Sequence, residues 1–342
     1  MVRIIASLLL ILTTVKPAVA TNRTFITSGS VRGRALALGG AYYSLEDDLS
    51  AGFYNPGAFR VNATRSERTF RVFLNPIGAA TGVYDLMKYD LDHTEDNAFT
   101  GREALRIIGT ALKGAVLSTP AFDVGFGLSE EVIPTSINNM SGKRFFSYEQ
   151  LGKNSFHSMF LNLKIAPTVS VGASTTAYTW RENDKDNHRA GHSIGVLLNP
   201  NPKLKVGLTY SNFPNKISNV RMGIESVDDE TVTSGVSYYP DNNTVLTLDL
   251  RNLTSEDDDT SREIHTGIER VVFSRFAMRA GYFREKIEKS DIYSFGVGIL
   301  PSWEKLSKFS TSSRTDLLSY TIVLENEGLK RQWHVVSLLL RY

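Results

Sequence analysis

From about Phe122 to the C-terminus the chain repeats one pattern, short runs in which every second residue is apolar and the residues between are polar or tiny. Leu161, Leu163 and Ile165 alternate with Asn162 and Lys164, and Val206, Leu208 and Tyr210 with Gly207, Thr209 and Ser211. Leu246, Leu248 and Leu250 alternate with Thr247, Asp249 and Arg251; Tyr293, Phe295, Val297 and Ile299 with Ser294, Gly296 and Gly298. A period of two gives each strand one greasy and one polar face. The pattern predicts strands near 68–75, 114–119, 121–128, 156–165, 168–181, 189–198, 204–212, 230–239, 244–253, 261–270, 275–285, 291–300, 315–325 and 332–342, an even set of 14.

Two architectures share this pattern: a soluble sandwich with its apolar face inward, or a membrane barrel with that face in lipid. Strand length favours the barrel, since several runs reach the roughly 9–11 residues of a tilted membrane strand. Loop lengths agree. The connections at 166–168, 199–203, 239–243 and 272–274 are short and mostly rich in Pro, Asn or Asp, whereas those at 129–155, 181–188, 214–229 and 255–261 are longer or more charged. The stretch 301–314 is long although its parity is that of the short turns. With the greasy face outward, the other face lines a small polar lumen, and Asp249, Arg251, His265, Glu269 and Arg279 are among its charged or titratable members.

One helix signal stands between the first two strands, TGREALRIIGTALKG, where Thr100 and Glu103 have capping-box spacing and Leu105, Ile108 and Leu112 share a face. At the N-terminus Arg3 and the apolar run Ile4 to Val15 read as a signal peptide over 1–20, cleaved after Ala20. No later apolar stretch reaches 18 residues, so insertion in a membrane falls to strands. Between the signal and the first strand lies Thr21 to Glu67, with the Gly-, Ala- and Tyr-rich stretch GRALALGGAYYSLEDDLSAGFYNPGAF at its centre. About 8 strands is the size side chains alone can fill, so a barrel of 14 needs a plug. This segment suits it: Gly39-Gly40 and Asn55-Pro56-Gly57 supply sharp reversals, and small residues let backbone approach an inner wall.

The stretch RALALGGAYYSLEDDLSAGFYNPGAF resembles the N-terminal hatch signature of FadL-like outer-membrane transport proteins and their PorV/PorQ relatives. In that signature an ALGGA-type run leads to acidic residues and an Asn-Pro-Ala turn, whose last position is Gly57 here. The resemblance implies an all-β fold: a transmembrane outer-membrane β-barrel of about 14 antiparallel strands over 68–342, with a hatch over 21–67. It further implies passage of a hydrophobic small molecule, a long-chain fatty acid or similar, with lateral exit to the outer-membrane lipid. Gly39, Gly40, Asp47, Asp48, Asn55, Pro56 and Gly57 would then be hatch residues, and Phe53, Tyr54, Phe145, Phe146 and Tyr148 ligand contacts. The alternative within the same resemblance is a PorV/PorQ-like component of protein secretion or surface assembly, with secretion-system proteins as partners. The loop at 129–155 has few contiguous apolar residues to catch a lipid, which keeps that alternative open.

Composition narrows the rest. With 38 basic and 36 acidic residues the chain has no charge excess to attract nucleic acid, and without cysteine it has neither disulfides nor a lipoprotein anchor. Asp47 and Asp48, beside Glu46, could bind a cation or act as an acid and base pair, yet hydrogen bonding within the hatch, or pairing with inward Lys205 or Arg279, fits a lumen-filling segment better. The run Glu256 to Asp259 reads as a solvated loop in preference to a Ca²⁺ site. His188 and His192 would lie about 13 Å apart along one strand face, which does not suit a metal. Ser193 or Ser237 can be paired with His265 only on paper, so no enzyme, metal or cofactor is expected. Tyr342, ending an alternating strand, suits recognition by the barrel assembly machinery, and Trp333 an interfacial aromatic girdle.

Overall fold

The structure, a computed structural model, describes residues 23–27, 31–47, 49–60, 68–80, 83, 111–130, 154–182, 185–212, 221–222, 225–226, 230–254, 262–285, 290–300, 316–326 and 331–341. Its strands are β1 (Arg23–Thr27), β2 (Thr69–Leu74), β3 (Leu112–Ser118), β4 (Phe122–Glu130), β5 (Asn154–Ala166), β6 (Val169–Glu182), β7 (Lys185–Asn201) and β8 (Leu204–Asn212). A small hairpin of β9 (Arg221–Met222) and β10 (Glu225–Ser226) stands apart. Then come β11 (Thr231–Asp241), β12 (Thr244–Arg251), β13 (Glu263–Val272), β14 (Phe276–Glu285), β15 (Ser290–Ile299), β16 (Leu318–Glu325), β17 (Arg331–Leu338) and β18 (Leu340–Arg341). Two short helices, α1 (Gly33–Ala37) and α2 (Leu49–Tyr54), and a 3₁₀ turn (Pro56–Ala58) precede β2.

The main sheet runs β1-β17-β16-β15-β14-β13-β12-β11-β8-β7-β6-β5-β4-β3-β2-β18. Because β18 continues β17 beyond Leu339, both ends of that order meet on one strand and the sheet closes on itself. Seven strands from β2 to β8 and seven from β11 to β17 make fourteen antiparallel staves. The alternation decides which way they face. Met159 (68% exposed), Ile165 (66%) and Ile194 (56%) point out, while their neighbours Phe160, Lys164 and Gly195 point in. Such a coat would cost about 25 cal/mol per Å² in water, so its solvent is lipid. Aromatic residues mark the two rims, Tyr210, Tyr282 and Tyr293 away from the short turns and Phe70, Tyr238, Phe273 and Phe276 near them.

Short turns fix the hairpin registers. Asn201 and Asp241 each accept from the backbone N–H two residues on, at 2.9 and 2.7 Å, and Phe273 and Ser274 both take positive φ, 53° and 57°, as the twist of a tight hairpin requires.

Three departures from the sequence reading have local causes. β1 pairs in parallel with β17, a strand that no alternating run announces. Leu112 opens β3, so the expected helix ends by residue 111; its residues 100–110 lie outside the described residues. Trp333 does not join a girdle: it is buried on the inner face with Leu36, Phe283, Ile292, Val323 and Val335. The acidic loop at Glu256 to Asp259 and the stretch 301–315 lie outside the described residues.

Candidate functional site

Residues 31–47 and 49–60 lie against the inner face of the wall, and the tiny residues of the alternating pattern are what admits them. A Cβ added at Gly195 would lie 1.9 Å from Asn55 Oδ1, at Gly207 2.0 Å from the Tyr43 carbonyl oxygen, at Gly172 2.1 Å from the Pro56 carbonyl oxygen and at Gly281 2.0 Å from the Gly39 nitrogen. Gly172 pairs with Gly195, Gly207 with Gly235 and Gly267 with Gly281, so these gaps line up from strand to strand. Backbone therefore packs on backbone. On the other partner, Gly39 and Gly40 take φ of +65° and +75°, a left-handed reversal that side chains resist.

Buried peptide groups need partners, and the polar lumen residues supply them. Asp249 accepts from the Tyr42 and Tyr43 N–H groups (2.6 and 3.0 Å), and Arg251 donates to the Gly40 carbonyl (2.6 Å). His265 meets the Gly39 carbonyl through Nδ1 (2.6 Å) and Glu263 through Nε2 (3.0 Å), stacked on Phe283. On the far side Asn162 donates to the Pro56 and Gly57 carbonyls (3.0 and 2.7 Å), and Thr321 to that of Gly33 (2.9 Å). Asn55 ties the 3₁₀ turn together: its side chain accepts from Gly57 N–H and donates to the carbonyls of Tyr43 and Val196.

Two ionic clusters complete the grip. Arg34 forks onto Glu269 (2.8 and 3.0 Å) and also reaches Asp47 (2.9 Å), to which Tyr42 donates its hydroxyl. Glu269 accepts in turn from Arg279 (2.7 Å), which forks onto Asp316 (2.5 and 2.8 Å). The charges alternate along this buried chain, so each has an opposite neighbour. In the second cluster Glu46 accepts from Lys205 (2.7 Å), Arg60 (3.0 Å) and Asn199 (3.0 Å).

Burial alone would push the Glu46 carboxyl up, but Lys205 and Arg60 outweigh it and hold the group at about 2, below its ordinary 4.5. A lowered value in the seated state stabilises that state above pH 4.5, and the contribution disappears as pH falls through about 2. Thermal stability is thus expected to be indifferent to Glu46 ionisation near neutrality, and to decline in acid with a shallower limb in Glu46→Gln than in the wild type. Identical acid limbs in a pH series of melting curves would contradict this.

The lumen is lined by buried polar residues all round, with apolar ones gathered in clusters among them. From β8 to β13 it presents Lys205, Thr209, Ser237, Asp249, Arg251 and His265, all buried. From β14 round through the last strand to β6, Phe283, Ile292, Trp333 and Val335 form one apolar cluster and Phe73, Val116 and Phe160 another, beside buried Arg279, Glu325, Lys113, Asp123 and Asn162 on the same strands. Phe53 stands half-buried between Phe156 and Phe160, edge-on to both (5.2 Å at 81° and 5.1 Å at 87°), and the Arg32 guanidinium lies 4.9 Å over the Phe156 ring.

The structure thus gathers Gly39, Gly40, Asp47, Asn55, Pro56 and Gly57 with Asp249, Arg251, His265, Glu269 and Arg279 about one contact surface. Tyr54 is buried against Tyr42 and Tyr43, whereas Phe53 faces Phe156 and Phe160. Asp48, Phe145, Phe146 and Tyr148 lie outside the described residues. Sequence reasoning missed Arg34 and Asp316; a lone arginine inside a stretch of small residues was the available signal for the first.

Fold and site together define a membrane-spanning β-barrel whose own N-terminal segment occupies its interior. No protein-family model and no curated protein matches the chain. Among solved structures it is similar to the toluene transporter TbuX of Ralstonia pickettii, at 11% identity over 87% of this chain and 93% of that one, TM-score 0.46. It is also similar to the CymD monoaromatic hydrocarbon channel, at 10% identity over 88% and 94%, TM-score 0.47. A mutant Rh. blastica porin matches at 13% identity over 68% and 77%, TM-score 0.35. The barrel rests on its strand pairing and not on these likenesses.

Proposed function

We propose that this chain is an outer-membrane barrel of a Gram-negative-type bacterium that passes hydrophobic small molecules, long-chain fatty acids or compounds of similar character, with residues 31–60 as its hatch. One observation carries the reading: Phe53 of the hatch stands half-buried and edge-on to Phe156 and Phe160, beside an inner apolar cluster of Phe59, Phe73, Val116 and Leu339. A pore for polar solutes gains nothing from such a lining, whereas an apolar ligand gains roughly 25 cal/mol per Å² on leaving water. In this reading Phe53 and Tyr54 meet the ligand, and Asp249, Arg251, His265, Glu269 and Arg279 hold the hatch. The last strand, ending in Tyr342, is the element offered to the barrel assembly machinery.

Proteoliposomes test it with a pyrene-labelled long-chain fatty acid. Wild-type vesicles are expected to take up the probe faster than empty ones. The pair Phe53→Ala and Phe156→Ala is expected to cut the excess rate about tenfold, or about 1.4 kcal/mol, within the worth of two aromatic contacts. Equal rates with and without protein would remove the transport reading. The number of hydrogen bonds from wall to hatch favours a second one, a PorV/PorQ-like secretion or assembly component without channel activity, which that result would leave standing. Deleting residues 35–58 tests the hatch itself: ion current in a planar bilayer is expected to rise, and unchanged conductance would deny the segment a plugging role.

A further inference from the structure

Two wall residues fasten the reversal at Gly39-Gly40, and one of them does so in a single protonation state. His265 is buried, with Nδ1 2.6 Å from the Gly39 carbonyl oxygen and Nε2 3.0 Å from Glu263 Oε2. A carbonyl has no hydrogen to give, and neither has an ionised carboxylate. Both ring nitrogens therefore face acceptors. A neutral imidazole carries one N–H and can serve one of them, whereas the imidazolium carries two and serves both. A protonated Glu263 would also complete the pair, but imidazole, at an ordinary value of about 6.5 against about 4.3 for a glutamate, is the stronger base. The proton belongs on the ring.

The surroundings balance that charge. On β12, Asp249 stands opposite His265 and Arg251 opposite Glu263. With Glu263 they bring two buried carboxylates and one guanidinium, so an imidazolium makes the group neutral. Phe283 of β14 stacks on the ring at 4.3 Å and 17°, adding a π face and no charge. The N-terminal segment contributes the Gly39 and Gly40 carbonyls and the Tyr43 ring, which lies 5.3 Å from the Arg251 guanidinium. Glu269, the next acid along that face of β13, is already held by Arg34 and Arg279.

We propose that Glu263 and His265 form a proton-binding site that fastens the N-terminal segment to the wall, one bound proton tying Gly39 down and its loss freeing it. When the proton leaves, one contact must break. The carboxylate is the stronger acceptor, so the remaining N–H stays with Glu263 and the Nδ1 lone pair is turned on the Gly39 oxygen. Arg251 is then left to hold the reversal through the Gly40 carbonyl, at 2.6 Å. The fastened form carries a proton that the loosened form lacks, so seating weakens as pH rises, by at most tenfold per unit. Glu263 opens β13 at the rim away from the short turns, the rim that in an outer-membrane barrel meets the external medium. This site needs only the seated segment, whatever the barrel passes.

Ser44 is buried in the same segment and the chain has no cysteine, so Ser44→Cys gives one thiol that a soluble maleimide reaches only when the segment lifts. Thiol reactivity itself rises with pH, and a second chain bearing Ser44→Cys with His265→Gln corrects for it. The ratio of labelling rates, first chain over second, is expected to rise about tenfold between about pH 5.5 and 8.5, on either side of the ordinary imidazole value. A flat ratio would overturn the site. Glu263→Gln separates the proton from the packing: its amide can donate to Nε2, which lets a neutral ring keep its other N–H on Gly39. Labelling in that background, divided by the same reference, is expected to be flat, and a tenfold rise there would equally overturn the site. Should His265→Gln not fold, ring ¹⁵N spectra decide. At about pH 6.5 the unaltered chain is expected to show one more of its six histidines as imidazolium than Glu263→Gln does, and equal numbers would overturn the proposal.

Discussion

Glu269→Ala is expected to lower the unfolding free energy of the barrel by about 3–5 kcal/mol, the largest effect of any single substitution considered for this chain. Glu269 is fully buried between two guanidiniums, Arg34 at 2.8 Å and Arg279 at 2.7 Å. Without it two cations share a dry interior, with only Asp47 and Asp316 left to offset them. Glu269→Gln keeps an acceptor oxygen and should fall between alanine and wild type. Adding Arg34→Met to Glu269→Ala should recover part of the loss, since it removes one uncompensated charge and refills the space. Urea unfolding in detergent, followed by the heat-dependent gel mobility of folded barrels, measures all three. A Glu269→Ala barrel within about 0.5 kcal/mol of wild type would show that the network does not hold the structure.

The second large effect concerns the glycines of the wall. Combining Gly172→Ala, Gly195→Ala and Gly207→Ala puts methyl groups about 2 Å from Pro56, Asn55 and Tyr43, and backbone cannot yield at two of these places. At roughly 1–3 kcal/mol per overpacked site, seating the N-terminal segment should become unfavourable by about 3 kcal/mol or more. Trypsin is then expected to cut within residues 31–60 of the variant and spare them in the wild type, while the barrel stays folded. The same substitutions in a chain lacking residues 35–58 should leave barrel stability unchanged, because the methyl groups would then meet no segment. Protection of residues 31–60 in the triple variant would mean that the segment does not sit where the glycines admit it.

How far the sequence foretold these residues depends on how local each constraint is. Period two assigns a strand residue to a face, so Asp249, Arg251, Glu269 and Arg279 were legible as lumen residues, and the even strand count followed from turn chemistry. The same rule placed Trp333 inward, in phase with Val335 and Ser337, and the girdle reading erred by weighing residue type above phase. Tiny residues on the polar face were visible, but not their reason, which appears only when Pro56 meets Gly172. Lys205 belonged to a short list of inward cations for Asp47 and Asp48, yet it meets their neighbour Glu46, and Asp47 meets Arg34 instead. Arg34 with Glu269 did not, because their contact depends on how the whole segment settles. β1 left no trace: RTFIT is five residues long, and parallel pairing to a distant strand needs no turn beside it.

The wall grips the earliest part of the chain with residues made much later. Arg34 meets its partner 235 positions on, and the Gly33 carbonyl accepts from a side chain 288 positions on. Loop-closure entropy therefore falls on the docking of the N-terminal segment, not on the hairpins, which form from neighbours. The hairpins are accordingly expected to form before residues 31–60 come to rest against them.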